Sequence, residues 1–361
     1  MKKFLVGLSG GVDSAVAAYL LKKQGYDVVA GFMKNYVSDS GNCSTYQDAE
    51  EAIKVAKFLG IEILYFDLIQ EYNEKIIKYI YDGYKKGITP NPDVFCNNLI
   101  KFDVFLNKAL ELGFDGIATG HYARIVKIKQ GNNPVIAGQA VTMKLFRGVD
   151  YNKDQSYFLS GLNQFQLSKS VFPIGDIDKP QVRKIAKEIG LPNAERKDSQ
   201  GLCFVGNIPI KTFLEKKLPH KKGDIINIDG KKIGEHDGAW FYTIGQRRGL
   251  NLLPDLYVSK IDIKKNIIYV GPRGSELLNQ KIIYAKDWHR IADEFKLPMT
   301  IQAKIRYRQE PKEAILEISG NNKDIKQKKI EFKEKQWAIA PGQIVVAYDG
   351  DECLGNGVII N

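Results

Sequence analysis

Near the start of the chain the sequence reads Phe4-Leu5-Val6-Gly7-Leu8-Ser9-Gly10-Gly11-Val12-Asp13-Ser14. A short apolar run, a Ser-Gly-Gly turn and a helical spacing continuing to Leu21 predict strand, tight turn and helix in immediate succession. A Gly-rich turn at a helix N-terminus presents unpaired backbone N–H groups and the positive end of the helix dipole, which makes it an anion site. Three phosphate or acyl-transfer motifs compete for the stretch. A Walker A loop needs Gly-Lys-Ser/Thr, which is absent, and a dinucleotide fingerprint needs glycines at a spacing that Gly7, Gly10 and Gly11 do not have. Gly7-Leu8-Ser9-Gly10-Gly11 satisfies the hydrolase elbow G-x-S-x-G, but that elbow follows earlier strands and here only one precedes it. The plain alternative is a tight turn capped by Asp13 or Ser14.

Outward from this stretch the alternation continues. Apolar runs at 27–33, 61–68 and 116–119 read as buried parallel strands, and 45–59, 70–84 and 98–112 have helical spacing and length. This predicts a doubly wound α/β sheet. Residues 155–190 read as helical, with Pro180 in the first turn of a helix ending at Gly190. From about 220 the pattern changes to short alternating stretches such as Asp224–Ile228, Ile267–Val270, Thr300–Ile305, Ala314–Ile318 and Ile344–Tyr348, which predict a β-rich remainder. The expected organisation is a nucleotide-binding domain over 1–205, a small β-rich domain over 206–280 and a barrel-like domain over 281–361. Lys323 to Lys335 reads as a solvated hairpin, and Trp240-Phe241-Tyr242 as core.

The chain has 361 residues, 44% apolar and 26% charged, the composition of a folded protein with more than one core. Its net charge is +11, with residues 206–280 densest at +5. An excess of this kind suits a polyanionic partner. No run approaches the length of a membrane span and no cleavage site follows the first apolar stretch, so the expectation is a cytoplasmic protein with no membrane partner. Cys43, Cys96, Cys203 and Cys353 form no C-x-x-C pair, and His121, His220, His236 and His289 are scattered, which argues against a structural metal site.

Two cysteines stand in distinctive loops. Thr89-Pro90-Asn91-Pro92-Asp93-Val94-Phe95-Cys96-Asn97 is stiffened by two prolines, which should hold Asp93 near Cys96. A helix expected from about Asn97-Asn98 would set Cys96 at its N-terminus and favour thiolate. Lys197-Asp198-Ser199-Gln200-Gly201-Leu202-Cys203-Phe204 is a polar loop ending in a lone cysteine. Taken singly, Cys203 reads equally as an inert core thiol or a reactive one, whereas for Cys96 the reactive reading leads and a buried cysteine beside the helix cap is the plain alternative.

Ser-Gly-Gly-x-Asp-Ser after a first strand resembles the pyrophosphate loop of ATP pyrophosphatases. With the N-P-D-x-x-C-N and K-D-S-x-G-x-C-F motifs, in that order, the whole chain resembles the bacterial tRNA-specific 2-thiouridylases. Thr119-Gly120-His121-Tyr122, Asn152 to Tyr157, Phe172-Pro173-Ile174-Gly175, Gly234-Glu235-His236, Thr243 to Leu250 and Arg306-Tyr307-Arg308-Gln309 extend the likeness; residues 34–44 and 129–143 depart from it. The resemblance implies ATP as substrate, bound by Gly7, Leu8, Ser9, Gly10, Gly11, Val12, Asp13 and Ser14, with Met33 and Gly120 bordering adenine and ribose. Mg²⁺ would accompany the triphosphate, with Asp13 a candidate ligand. Cys203 would receive sulfur as a persulfide, Cys96 would release it, and Asp93 would act as general acid/base. Asn91, Pro92 and Asp93 would line the target-base pocket. His121, Lys153, Asp154, Gln155, Arg306, Tyr307 and Gln343 would contact the tRNA anticodon stem-loop. A cysteine desulfurase or sulfur-relay protein would supply the persulfide. Three alternatives stand beside this: a related enzyme that delivers nitrogen to an adenylated acceptor, a non-catalytic RNA-binding module that would have no need of the pyrophosphate loop, and a sulfur-transfer enzyme in which Asp93, Cys96 and Cys203 ligate an iron–sulfur cluster. In a strand, Arg306 and Arg308 would share one face, with Tyr307 on the other.

Overall fold

The computed structural model describes residues 1–37, 44–129, 141–198, 203, 206, 208–250, 255–292, 296–319 and 327–361. Its first sheet is parallel throughout and contains β1 (Lys3–Gly7), β2 (Asp27–Lys34), β3 (Ile63–Asp67), β4 (Gly116–Ala118) and β7 (Ser170–Val171), ordered β3-β2-β1-β4-β7. Alternation along β1 explains its two-sided burial. Phe4 and Val6 face the helices Val12–Lys23 and Lys179–Glu188, whereas Leu5 faces the core built on Ile76, Ile100 and Phe105. The strand order reverses between β1 and β4. Ligands of open α/β sheets bind in the crevice at the carboxyl ends of strands at such a switch point, and the Ser-Gly-Gly turn lies there.

The helical stretch expected at 98–112 begins earlier, at Pro92. It runs as an α-helix over Pro92–Cys96, a π-helical stretch over Asn97–Phe105 and an α-helix over Leu106–Glu111. A proline at the first helical position costs nothing, because its missing N–H would have no intrahelical partner there. What reads in sequence as a proline-stiffened loop is therefore the start of the helix. Asp178 caps the helix Lys179–Glu188, its side chain accepting from Gln181 N with Pro180 in the first turn, as expected.

The β-rich remainder forms two sheets. The smaller has β8 (Gly223–Asn227), β9 (Lys232–His236), β10 (Leu256–Asp262) and β11 (Ile267–Pro272). The larger has β12 (Asn279–Arg290), β13 (Met299–Lys304), β14 (Lys312–Ile318), β15 (Lys328–Trp337), β16 (Ile344–Asp349) and β17 (Glu352–Ile359), and the pairing of β12 with β17 closes it into a barrel. A hairpin of β5 (Ala123–Lys129) and β6 (Val141–Arg147) leaves the first sheet and pairs with β17, extending the barrel wall. Nothing in the sequence pattern marks that exchange. Arg306-Tyr307-Arg308 is not in a strand: β13 ends at Lys304 and the three residues form the turn before β14. Of the segment expected in the core, Phe241 and Tyr242 are buried and Trp240 is partly buried, packed against it.

Candidate functional site: a phosphate loop and a thiol pair

The phosphate loop is held open by its own hydrogen bonds. Ser14 Oγ accepts from Ser9 N (3.2 Å) and donates to Gly11 O (3.0 Å), and the helix Val12–Lys23 starts at Gly11 with no side-chain cap. Among the described residues the first-turn N–H groups thus have no side-chain partner, which fits an incoming anion better than a capped turn does. Asn193 Nδ2 and Arg196 Nη1 donate to Gly10 O at 2.8 and 3.0 Å and fix the loop from outside. Gly120 lies against it so closely that a Cβ there would sit 2.6 Å from Asp13 C and Ser14 N. Met33, at the end of β2, is buried beside Gly7. The cradle fits a nucleotide triphosphate. The Asp13 carboxylate is engaged by Lys179 Nζ (2.7 and 2.9 Å) and the Tyr122 hydroxyl (2.7 Å), so it meets a cation of the protein's own rather than standing open for Mg²⁺.

The two loop cysteines meet. Cys96 Sγ lies 3.6 Å from Cys203 Sγ, the first fully buried and the second partly so. Asp93, one turn before Cys96, accepts from the Cys203 backbone N–H (3.2 Å), and the Tyr72 hydroxyl donates to Cys203 O (2.6 Å). The expectation that a helix N-terminus favours a Cys96 thiolate fails. The helix is capped five residues earlier by Asn91, which accepts from Val94 N, and Cys96 lies beyond its first turn. Burial, and then the hydrogen bond to Cys203, push the Cys96 thiol well up. Cys203 moves the other way: the Cys96 thiol donating to it lowers its pKa, and Lys101 adds to this against the opposing effect of burial. Burial opposes the charge on Lys101, but the two sulfurs and Asp93 keep it cationic, and it hydrogen-bonds Cys203. Asp93 is shifted up by burial, against the Cys203 N–H.

Sequence reasoning missed Lys101. Five residues after Cys96 is well off one face of an α-helix, but the i→i+5 bonding of the π-helical stretch brings that position round toward the cysteine. No periodicity in the sequence marks the switch. A cluster on Asp93, Cys96 and Cys203 does not fit. Among the described residues no three His, Cys, Asp or Glu side chains are grouped so that they could hold a metal ion. Cys353 is buried in β17, its thiol pushed well up by burial, and Cys43 lies outside the described residues.

Asp93 also lines a cavity of about 250 Å³ with Thr89, Pro90, Asn91, Pro92 and Gln343. Gln343 Nε2 donates to Thr89 O (3.0 Å) and Pro90 O (3.2 Å), and Asn91 Nδ2 donates to Gln343 Oε1 (3.4 Å). Arg306 borders the adjoining cavity, donates to Ala338 O and lies over the Trp337 ring. Tyr307 packs on Phe158 near Lys153 O. Of the remaining expected RNA contacts Lys153 has a 40% exposed side chain paired with Asp198, whereas His121 and Asp154 are buried. His121 is buried between Phe102 and Phe172, kept neutral by burial, with Nδ1 2.7 Å from Thr119 Oγ1. Asp154 is 2% exposed and paired with Arg147, and Gln155 Oε1 accepts from Tyr122 N (3.0 Å).

A parallel sheet with an open phosphate loop at its switch point, joined to a buried thiol pair, defines a nucleotide-binding α/β protein of the ATP-pyrophosphatase kind. Residues 2–207 match the tRNA methyl transferase HUP domain, 211–272 the tRNA methyl transferase PRC-barrel domain, and 280–359 the aminomethyltransferase beta-barrel domain. The tRNA-specific 2-thiouridylase MnmA of Bacillus velezensis is 46% identical over 99% of this chain and 94% of its own. The same enzyme of Cupriavidus pinatubonensis is 43% identical over 99% and 98%, and that of Staphylococcus aureus 44% over 99% and 95%. This chain belongs to the tRNA-specific 2-thiouridylase family.

Proposed function

We propose that the protein replaces the C2 oxygen of the wobble uridine of tRNA with sulfur, consuming ATP and releasing AMP and diphosphate. The observation that carries the reading is the Cys96–Cys203 contact of 3.6 Å, with Asp93 bonded to one cysteine and lining a base-sized cavity. The methyl-transfer wording of the domain descriptions does not explain two apposed thiols beside a phosphate loop. Nitrogen delivery would leave both cysteines idle.

The uracil C2 oxygen attacks the α-phosphate of ATP, diphosphate leaves, and C2 acquires an adenylate leaving group. The base reaches Asn91, Pro92 and Asp93 only by leaving its stack, which anticodon-loop bases do at low cost. The Cys203 thiolate attacks the outer sulfur of a donor persulfide, and the donor departs as a thiolate, leaving a persulfide on Cys203. Its terminal sulfur attacks C2 and AMP leaves with the C–O electron pair. Cys96 gives up its proton, for which Asp93 is the acceptor. It then attacks the inner sulfur of Cys203, breaking the S–S bond, releasing 2-thiouridine and forming a Cys96–Cys203 disulfide that an external dithiol reduces. Lys101 supports this sequence by stabilising the anionic form of Cys203. The donor is a protein or small-molecule persulfide. Gln343 and Arg306 belong to the tRNA-facing side.

Labelled persulfide followed by digestion and mass mapping tests the roles. Cys96→Ser is expected to keep label on Cys203 and fail to release it, and Cys203→Ser to take up none. Label on Cys96 in the Cys203 variant, with none on Cys203 in the other, would reverse the two roles.

A further inference from the structure

At the edge of the phosphate loop three cations converge on one carboxylate. Asp198 accepts from Lys153 Nζ (2.8 Å), Lys179 Nζ (2.7 Å) and Arg183 Nη2 (2.8 Å). The same Lys179 ammonium reaches both carboxylate oxygens of Asp13, at 2.7 and 2.9 Å. Lys179 is not a loose surface lysine. Its side chain is 11% exposed, and it is the first residue of the helix Lys179–Glu188, where its backbone N–H donates to Asp150 Oδ2 (3.0 Å). Burial opposes a charge on Asp198, but Lys153 and Lys179 hold its carboxyl well below the usual range.

The connectivity gives the cluster its meaning. Asp13 is in the phosphate loop, and Asp198 is five positions before Cys203. One ammonium group therefore pairs at once with the segment that receives the nucleotide and with the segment that leads into the sulfur-bearing cysteine. Lys153, Lys179 and Arg183 stand against Asp13 and Asp198, with Asp150 at the Lys179 backbone N–H, so the cluster is a balanced network that turns on one shared ammonium group. A polyphosphate entering there competes with both carboxylates for Lys179.

We propose that Lys179 is a positioning residue that couples nucleotide occupancy of the phosphate loop to the reactivity of Cys203, through the shared Asp13–Lys179–Asp198 ion pairs. The inference rests on the proposed roles of the loop and of Cys203. Nucleotide that draws on Lys179 weakens its hold on Asp198, and by reciprocity a change at Cys203 alters nucleotide affinity. Sulfur presentation thereby depends on the presence of ATP.

The test is the rate of Cys203 alkylation by iodoacetamide, mapped by digestion, with and without saturating α,β-methylene ATP and Mg²⁺. Cys96 and Cys353 are buried and do not compete for the reagent. In the native protein the nucleotide is expected to change the rate at least about fivefold. In Lys179→Met and in the near-isosteric Asp198→Asn that ratio is expected to fall to about one, while Lys179→Arg retains part of it. Calorimetry establishes that nucleotide still binds. If Lys179→Met loses binding, Asp198→Asn decides alone, because its side chain does not touch the loop. A native rate insensitive to nucleotide, or an Asp198→Asn ratio equal to the native one, overturns the coupling. Either result with 2-thiouridine still formed leaves the proposed function standing, whereas absence of 2-thiouridine sinks that function and not this measurement.

Discussion

At the thiol pair the decisive quantity is where one proton sits. Burial, and then its hydrogen bond to Cys203, push the Cys96 thiol up, whereas the hydrogen bonds that Cys203 receives from Cys96 and from Lys101 shift its thiol down. The pH profile of Cys203 alkylation should therefore turn over below the value of about 8.5 usual for a free thiol. A depressed pKa means that thiolate is present at lower pH, so removing the cation reduces the rate near neutrality. Lys101→Met is expected to move the inflection upward and to slow alkylation at pH 7 on the order of tenfold, with Lys101→Arg close to native. An unmoved inflection in Lys101→Met would remove the lysine from the account. Asp93, Cys96 and Cys203 were legible because their motifs carry unusual residues at fixed spacing. Lys101 was not, since its place beside sulfur depends on the helical register between residues 97 and 105.

Among the elements, the contact between the turn after β4 and the phosphate loop leaves no room for a side chain. Gly120→Ala would put a Cβ 2.6 Å from Asp13 C and Ser14 N, where backbone meets backbone and no flexible side chain can yield. It is expected to cost about 1–3 kcal/mol and to abolish nucleotide binding. At Gly274, where a Cβ meets nothing within 4 Å, the same change should leave Tm and binding alone. Thermal unfolding and calorimetry on both variants measure the contrast. A Gly120→Ala protein that binds ATP normally would show that the loop is not closed by this turn. Strand, turn and helix at residues 4–21 were readable because apolar period and glycine chemistry agree there. The helix start at Pro92 was misjudged because proline serves both turns and first helical positions, and Asn91 is the cap that distinguishes them.

The whole molecule builds its base-sized cavity from distant parts of the chain. Thr89 N–H donates to Pro341 O (2.8 Å), Gln343 Nε2 reaches Thr89 O and Pro90 O, and the Tyr157 hydroxyl donates to Ile344 O (2.8 Å). The barrel therefore closes one wall of the pocket that holds Asp93. Gln343→Ala is expected to raise the KM for tRNA about tenfold or more while the KM for ATP stays put, because a bond network around the base pocket is lost and the phosphate loop is untouched. Equal changes in both would indicate a purely structural side chain. The order of an α/β part and two β-rich parts could be read from the change in hydrophobic period near residue 220. Their docking could not, because contacts such as Gln343 to Thr89 leave no trace in local pattern. The β5–β6 hairpin was missed for the same reason, its partner strand lying some 200 positions later, as in the pairing of Leu145 with Cys353. All three scales meet in one reaction. The most direct measurement is incubation of the protein with ATP, unmodified tRNA and a persulfide donor, followed by nucleoside mass spectrometry. The account expects 2-thiouridine to form with ATP consumption and to vanish in Cys96→Ser and Cys203→Ser. Consumption of ATP without 2-thiouridine, or undiminished 2-thiouridine in both variants, would contradict it.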